Sequence, residues 1–418
     1  MFRNYLDKIF DTSEDYLKKI FNDKEYNILI EKLKKGNFKT NQEYVEFFIN
    51  TYTNFIKSKY QFEYKSNKKL TKFVEDKKNN LKIIWGDCLN VLRKMDNESI
   101  QLMVTSPPYY NAREYSQWKD INDYLDDMRE IIRETFRVLD NHRVWVFNVG
   151  DIFANPKTKT KSVWGKQRLP LGAYFIKIFE EEGFTFVDDF IWDKGEPQSE
   201  RNKNANKPYP LYQYPLNCYE HILIFHKHRI DLTRFPCPRC GTLKVNGNTQ
   251  SEPGLQSWEC KNNKCFERSK SNRGKRFSLK TNMTQSENRK NSSIDEAILK
   301  KWRRDITKFN PVIKINSKGD NTLGHTAPFP KDIPEMAIKM FSFVGEKVLD
   351  PFAGSFTSAI VAVNLDRIGI GIELGKKEFE GPIMKNIKKN QDILFSKKFK
   401  IDKFDLSKEK KLNKQLGK

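Results

Sequence analysis

The chain has 418 residues, of which 38% are hydrophobic, 13% aromatic and 31% charged; that length carries at least one large core and excludes a disulfide-stapled miniprotein. Lysine and arginine number 76 against 54 aspartates and glutamates, a net charge of +22, which attracts polyanions such as nucleic acid and repels basic partners. Acidic residues break up the opening MFRNYLDKIFDTSEDYLKK where a signal peptide needs an apolar stretch, and no later apolar run approaches the about 20 residues that span a bilayer; a cytoplasmic protein with no membrane partner is expected.

In residues 1–80 apolar side chains recur at three- and four-residue spacing among lysines (Tyr16, Ile20, Tyr26, Ile30, then Tyr44, Phe47, Phe48, Tyr52), which predicts a helical accessory region. From Leu81 the texture changes. Short apolar runs at 81–85, 102–104, 144–149, 184–192 and 220–225 read as strands, with helices over 124–139 and 171–182 between them. After an interruption at 227–310 the alternation returns as helix 333–343, strand 346–349, helix 357–365 and strand 367–372. Strands alternating with helices predict an α/β fold, a doubly wound, mostly parallel sheet. Residues 384–418 are lysine-rich and read as a solvated helix or tail.

The interruption holds 20 Lys/Arg and 8 Asp/Glu, so +12 of the net charge sits in 84 residues. Its run SKSNRGKRFSLK, with Arg273, Lys275 and Arg276, mixes cations for phosphates with amide and guanidinium groups for base edges. The same segment carries Cys237-Pro-Arg-Cys240 and, after nineteen residues, Cys260-Lys-Asn-Asn-Lys-Cys265. Two thiol pairs at that spacing predict one tetrahedral zinc, structural because four cysteines leave no open position. Cys218 flanks an apolar strand and reads as core.

Thr105-Ser106-Pro107-Pro108-Tyr109 follows a short apolar strand. Its two prolines forbid both helix and ladder, so the chain leaves the sheet rigidly with carbonyls free to accept. Val348-Leu-Asp350-Pro351-Phe352-Ala-Gly354-Ser355 follows another strand and opens a helix, where backbone amides favour a ligand, and Glu373 ends the next strand 23 residues after Asp350, placed for a ribose.

These segments, in order, resemble the β-class S-adenosylmethionine-dependent DNA amino-methyltransferases over roughly 81–380. The likeness rests on Gly86-Asp87-Cys88, TSPPYY (105–110), the helix MREIIRETFRVL (128–139) leading into VWVFNVGD (144–151), FIWDK (190–194), YEHILIFHK (219–227), HTAPFPKDIPE (325–335) and VLDPFAGS (348–355). The resemblance implies a circularly permuted Rossmann-like methyltransferase, with the catalytic half at 81–226, a basic zinc-binding target-recognition insertion at 227–320, the cofactor half at 321–383 and a tail at 384–418. It implies that Asp350, Phe352, Gly354 and Ser355 line the methionine part of the cofactor, Glu373 its ribose, and Asp87 with Cys88 its adenine. Thr105, His325 and Thr326 complete that set, the last two at the methionine carboxylate. Ser106, Pro107, Pro108 and Tyr109 are the implied catalytic segment: the Ser106 hydroxyl and the Pro107 carbonyl accept from an exocyclic amine and localise its lone pair, and Tyr109 stacks on a base flipped from double-stranded DNA. A serine opening this motif implies cytosine N4 as target, with adenine N6 and an inactive DNA-binding relative as alternatives. A cognate restriction endonuclease is an optional partner, and the oligomeric state stays open. One departure stands out: the family's F-x-G-x-G has Phe356 at its second glycine, which implies a narrower or shifted approach for the cofactor.

Overall fold

The computed structural model describes residues 23–35, 51, 66–110, 118–153, 168–195, 218–227, 237, 240, 242, 244–251, 255–264, 276–277, 291–309, 330–391 and 397–408. In chain order its elements are α1 (Asp23–Lys34), α2 (Lys68–Glu75), β1 (Leu81–Trp85), α3 (Cys88–Leu92), β2 (Ile100–Thr105), α4 (Ile121–Val138) and β3 (Leu139–Val149). A small pair β4 (Ile152–Phe153) and β5 (Arg168–Leu169) precedes α5 (Leu171–Glu181), β6 (Thr185–Asp193) and β7 (Tyr219–Lys227). There follow β8 (Val245–Ser251), β9 (Leu255–Cys260), β10 (Arg276–Phe277), α6 (Glu296–Trp302), β11 (Ile306–Lys308) and α7 (Asp332–Phe341). The chain then runs through β12 (Lys347–Asp350), α8 (Thr357–Asn364), β13 (Ile368–Glu373), α9 (Lys376–Gln391) and β14 (Ile401–Asp405).

The chain divides into two compact units, Met1–Glu63 with His228–Lys290, and Tyr64–Lys227 with Asn291–Lys418. In the first, α1 buries Leu29, and β8, β9 and β10 form an antiparallel sheet. Of the residues that predicted N-terminal helix, Tyr26 and Ile30 lie in α1; Tyr16, Ile20, Tyr44, Phe47, Phe48 and Tyr52 lie outside the described residues.

The second unit is built on a nine-stranded sheet of order β11-β6-β7-β3-β2-β12-β13-β1-β14. Strand β7 runs antiparallel to both neighbours and every other pairing is parallel. Parallel strands need helical crossovers that cover both faces, which is why β1, β2 and β12 read as near-continuous apolar runs. Alternate residues serve opposite faces: Met103, Trp145, Phe147 and Leu349 join the core under α3, α4 and α5, while Leu102, Val104, Val146 and Val348 pack against Ile333, Met336 and Ala337 of α7. On the latter side Leu81, Ile83 and Trp85 meet α8 and α9. The chain leaves β2 toward β3 on one side and leaves β12 toward β13 on the other, so the topological switch point falls between β2 and β12.

Three stretches differ from their sequence reading. The lysine-rich end is not wholly a solvated tail: α9 buries Ile383 and Ile387, and β14 pairs in parallel with β1 and seats Phe399 and Leu406 nearby. The segment before β1 belongs to the sheet unit, because Lys82 inside β1 is fully buried and its Nζ donates to the carbonyls of Phe73, Val74 (3.0 Å) and Asp76 (2.5 Å). Those carbonyls end α2 and have no partner within the helix. Residues 291–309, counted with the basic interruption, also join this unit through β11, which pairs with β6. Cys218 is half-buried rather than core, and no described helix is long and apolar enough to cross a membrane.

Candidate active site

The carboxyl ends of β1, β13, β12, β2 and β3 lie on one edge of the sheet, since they are parallel neighbours. Trp85 is level with Glu373 and Asp350 with Gly371. The Asp350 and Ser106 loops meet at the switch point through a direct bond: Thr105 donates from Oγ1 to Asp350 Oδ1 at 2.6 Å across 245 positions of sequence. Ser358 in α8 donates to Asp350 Oδ2 at 2.7 Å, and the Phe352 N–H donates to Oδ1 at 3.0 Å. Asp350 is 2% exposed. Burial pushes its carboxyl up to about 6, against the pull of those three donors. Asp350 is thus the knot that ties the turn, and Thr105 acts by holding it.

Beyond Asp350 the turn bends at Gly354, whose φ of +48° suits glycine. The Gly354 N–H donates to Glu373 Oε2 at 2.9 Å, while Leu374 and Gly375 N–H groups reach Oε1 at 3.0 and 3.3 Å. A carboxylate offers about four lone-pair positions; three are taken, so Glu373 presents one strong acceptor to a ligand rather than two. Burial pushes its carboxyl above the usual range. Gly86 N–H donates to the Glu373 carbonyl at 2.9 Å, which brings the Asp87 loop alongside. Asp87 caps α3, accepting from the Asn90 N–H at 3.0 Å, and Cys88 is buried at the helix start.

Phe356 does not crowd this edge. It sits at φ +65° in the left-handed region that glycine occupies without cost, yet its ring is fully buried in the core with Trp85 and Ala359. Space for the ring comes from Gly371, where a Cβ would stand 2.5 Å from Phe356 Cε1. The Phe356 ring thus packs into the core beside β13.

Ser106, Pro107, Pro108 and Tyr109 follow β2 outside helix and strand. Tyr124 from α4 donates to the Pro108 carbonyl at 3.0 Å, fixing the second proline. Ser106 Oγ donates to Tyr109 Oη at 3.4 Å, and Tyr109 Oη donates to Glu220 Oε2 at 2.9 Å. Lys194 forms an ion pair with the other Glu220 oxygen. Burial, followed by the Glu220 charge, keeps the Tyr109 phenol protonated well above its ordinary range. Next to Glu220, His221 bonds Asp189 Oδ2 through Nδ1 at 2.7 Å and lies 3.7 Å from Asp151. Burial disfavours its charge, but the two carboxylates outweigh it and hold the imidazolium to about pH 9.

Glu220, Lys194, Tyr124 and Ser358 were not singled out in the sequence. Glu220 and Lys194 stand inside YEHILIFHK and FIWDK, and the available signal was a charge at the end of an apolar strand. His325, Thr326, Cys265, Arg273 and Lys275 lie outside the described residues, and Arg276 is described only as part of β10.

In the first unit, the sulfur atoms of Cys237, Cys240 and Cys260 all lie within 4.8 Å of one another. Cys240 Sγ is 3.9 Å from Cys260 Sγ, close to the about 3.8 Å between ligands of a tetrahedron with Zn–S near 2.3 Å. Asn262 Nδ2 donates to Cys240 Sγ at 3.5 Å. The site fits a thiolate-bound metal, with Asn262 supporting one ligand.

The family described as DNA methylase matches residues 100–386. The chain is 41% identical over 295 residues to the Type II beta methyltransferase M.BslI of Bacillus sp. (strain NEB-606), covering 70% of this chain and 26% of that protein. It is 24% identical over 332 residues to the Type II methyltransferase M.SmaI of Serratia marcescens, covering 73% and 90%. It thus spans about a quarter of the first relative and nearly all of the second. Among solved structures, a putative DNA modification methylase from Thermus thermophilus, complexed with S-adenosyl-L-methionine, aligns with a TM-score of 0.50 at 23% identity, over 78% of this chain and 99% of that one; that likeness concerns the fold.

Proposed function

Because the chain belongs to the DNA methylase family, we propose that it transfers the methyl group of S-adenosylmethionine to the exocyclic N4 of a cytosine flipped out of double-stranded DNA. The observation that carries this reading is the Thr105–Asp350 bond, which holds the loop bearing Ser106 against the turn expected to bind the donor. The cofactor supplies an electrophilic methyl on a sulfonium. Gly354, Phe352 and Ser355 offer turn backbone to its methionine part, with His325 and Thr326 at the carboxylate. Glu373 accepts from its ribose, and Asp87 with Cys88 borders the adenine. With Pro108 engaged by Tyr124, the carbonyl that accepts from the amine is that of Pro107. Ser106 Oγ accepts the second amine hydrogen, and the Tyr109 ring stacks on the base. Positioning and electrostatics then suffice, with no covalent intermediate on the protein. The serine opening the motif favours cytosine over adenine.

The insertion, within 228–290, reads the target, its Arg273, Lys275 and Arg276 on DNA, ordered by a zinc on Cys237, Cys240, Cys260 and Cys265. The permuted order, catalytic half before cofactor half, follows from the succession of motifs, and a cognate restriction endonuclease is an optional partner.

The test is incubation of the purified protein with labelled S-adenosylmethionine and DNA, digestion to nucleosides and mass spectrometry of the product. N4-methylcytosine is expected; 6-methyladenine overturns the base assignment and unmodified DNA overturns the reading. Ser106→Ala and Tyr109→Ala should each cut transfer by about 10²-fold or more while cofactor affinity stays; full activity in both removes the pocket assignment.

A further inference from the structure

Methylation of an amine releases a proton that the Ser-Pro-Pro-Tyr segment cannot keep. A nitrogen–carbon bond forms, the sulfur–carbon bond breaks with its electron pair going to sulfur, and a nitrogen–hydrogen bond breaks with its pair staying on nitrogen. Serine hydroxyls and proline carbonyls are weak bases, so a proton passed to them must move on.

Two hydrogen bonds lead from Ser106 to Glu220 in one direction. Ser106 spends its own hydrogen on Tyr109 at 3.4 Å, and Tyr109 spends its hydrogen on Glu220 at 2.9 Å, which leaves the Ser106 lone pairs for an incoming amine. Glu220 is held for this at both ends of its carboxylate, by Tyr109 on one oxygen and Lys194 on the other. Its approach depends on Gly150 at the end of β3, where a Cβ would lie 2.9 Å from Glu220 Cγ. The other titratable groups nearby are committed elsewhere: His221 bonds Asp189, Asp151 accepts from the Gly172 N–H, and Asp193 accepts from the Gly195 N–H.

We infer that Glu220, acting through Tyr109, is the terminal proton acceptor of methyl transfer. The amine proton passes to Ser106 Oγ as the serine proton moves to Tyr109 Oη and the tyrosine proton moves to Glu220 Oε2. The carboxylate becomes a carboxylic acid, which returns its proton to solvent after product release. Lys194 and Gly150 are positioning residues that fix where the carboxylate stands. This inference rests on the methyl-transfer reading above and adds to it the fate of the proton.

The experiment compares wild type with Glu220→Gln, which keeps size and one acceptor oxygen but removes the base and the ion pair with Lys194, and with Tyr109→Phe, which keeps the ring and cuts the relay. Single-turnover methyl transfer is measured in water and in deuterium oxide, with cofactor and DNA binding measured separately. Expected are a rate lower by about 10²-fold in both variants, unchanged binding, and a solvent deuterium effect present in wild type and lost in Glu220→Gln. If Glu220→Gln does not fold, Tyr109→Phe carries the same comparison. A variant as fast as wild type, or a wild-type rate indifferent to deuterium, overturns the relay while methyl transfer stands. A wild type that transfers no methyl group to DNA overturns both.

Discussion

Asp350 shows how one side chain can organise a site it need not contact. With Thr105, Ser358 and a backbone N–H on its carboxylate and only 2% exposure, it fixes the turn at the carboxyl end of β12. Its folded value of about 6 exceeds the about 3.9 of an unfolded aspartate, so the folded protein binds that proton more tightly than the unfolded chain does. The carboxyl's contribution is therefore greatest below about pH 4 and declines as pH rises through 6, by about 3 kcal/mol in the limit. Asp350→Asn should remove that decline. Urea unfolding at intervals from pH 4 to 7 checks it, and an unaltered slope in the variant assigns the dependence to another group. Phe356 teaches a related point. A glycine missing from a motif implied a narrower or shifted approach for the cofactor; the ring itself lies inward, where Gly371 on the neighbouring strand leaves room for it.

Among the described elements, α2 leans on a single residue. The Lys82 ammonium satisfies carbonyls at the end of that helix from within the sheet, and burial draws its pKa down to about 8. Lys82→Met leaves those carbonyls unpaired, and a loss of about 2–3 kcal/mol is expected, with faster amide exchange concentrated in α2. Between pH 8 and about 10.5 the unfolded chain holds the lysine proton that the folded protein has released, so wild-type stability rises over that interval and the variant's does not. Exchange in the variant identical to wild type would show that α2 is held by packing alone. The strands β1, β2, β3, β12 and β13 were legible as apolar runs because helices cover both their faces. Strand β14 was not, since Ile401-Asp-Lys-Phe-Asp405 lies at an edge with one side in water, and β11 is three residues long. The Ser106, Asp350 and Glu373 loops were legible because their chemistry is local to short motifs. Glu220 was not, because its meaning comes from Tyr109, 111 positions away.

At the scale of the molecule, charge and metal separate two tasks. Over half of the net charge of +22 lies in residues 227–310, and DNA affinity should fall steeply as salt rises, log K against log salt being linear with a slope that counts the phosphates neutralised. Elemental analysis is expected to find one zinc per chain, and its removal by a chelator should weaken DNA binding while leaving cofactor binding in place; a metal-free protein with full DNA affinity rejects the cysteine site. The Thr105–Asp350 bond has a further consequence for how the protein comes into being. During synthesis Thr105 leaves the ribosome long before Asp350, 245 positions later in the chain. The bond can close only once β12 has been made, and a chain cut short upstream of that strand lacks the Asp350 turn altogether.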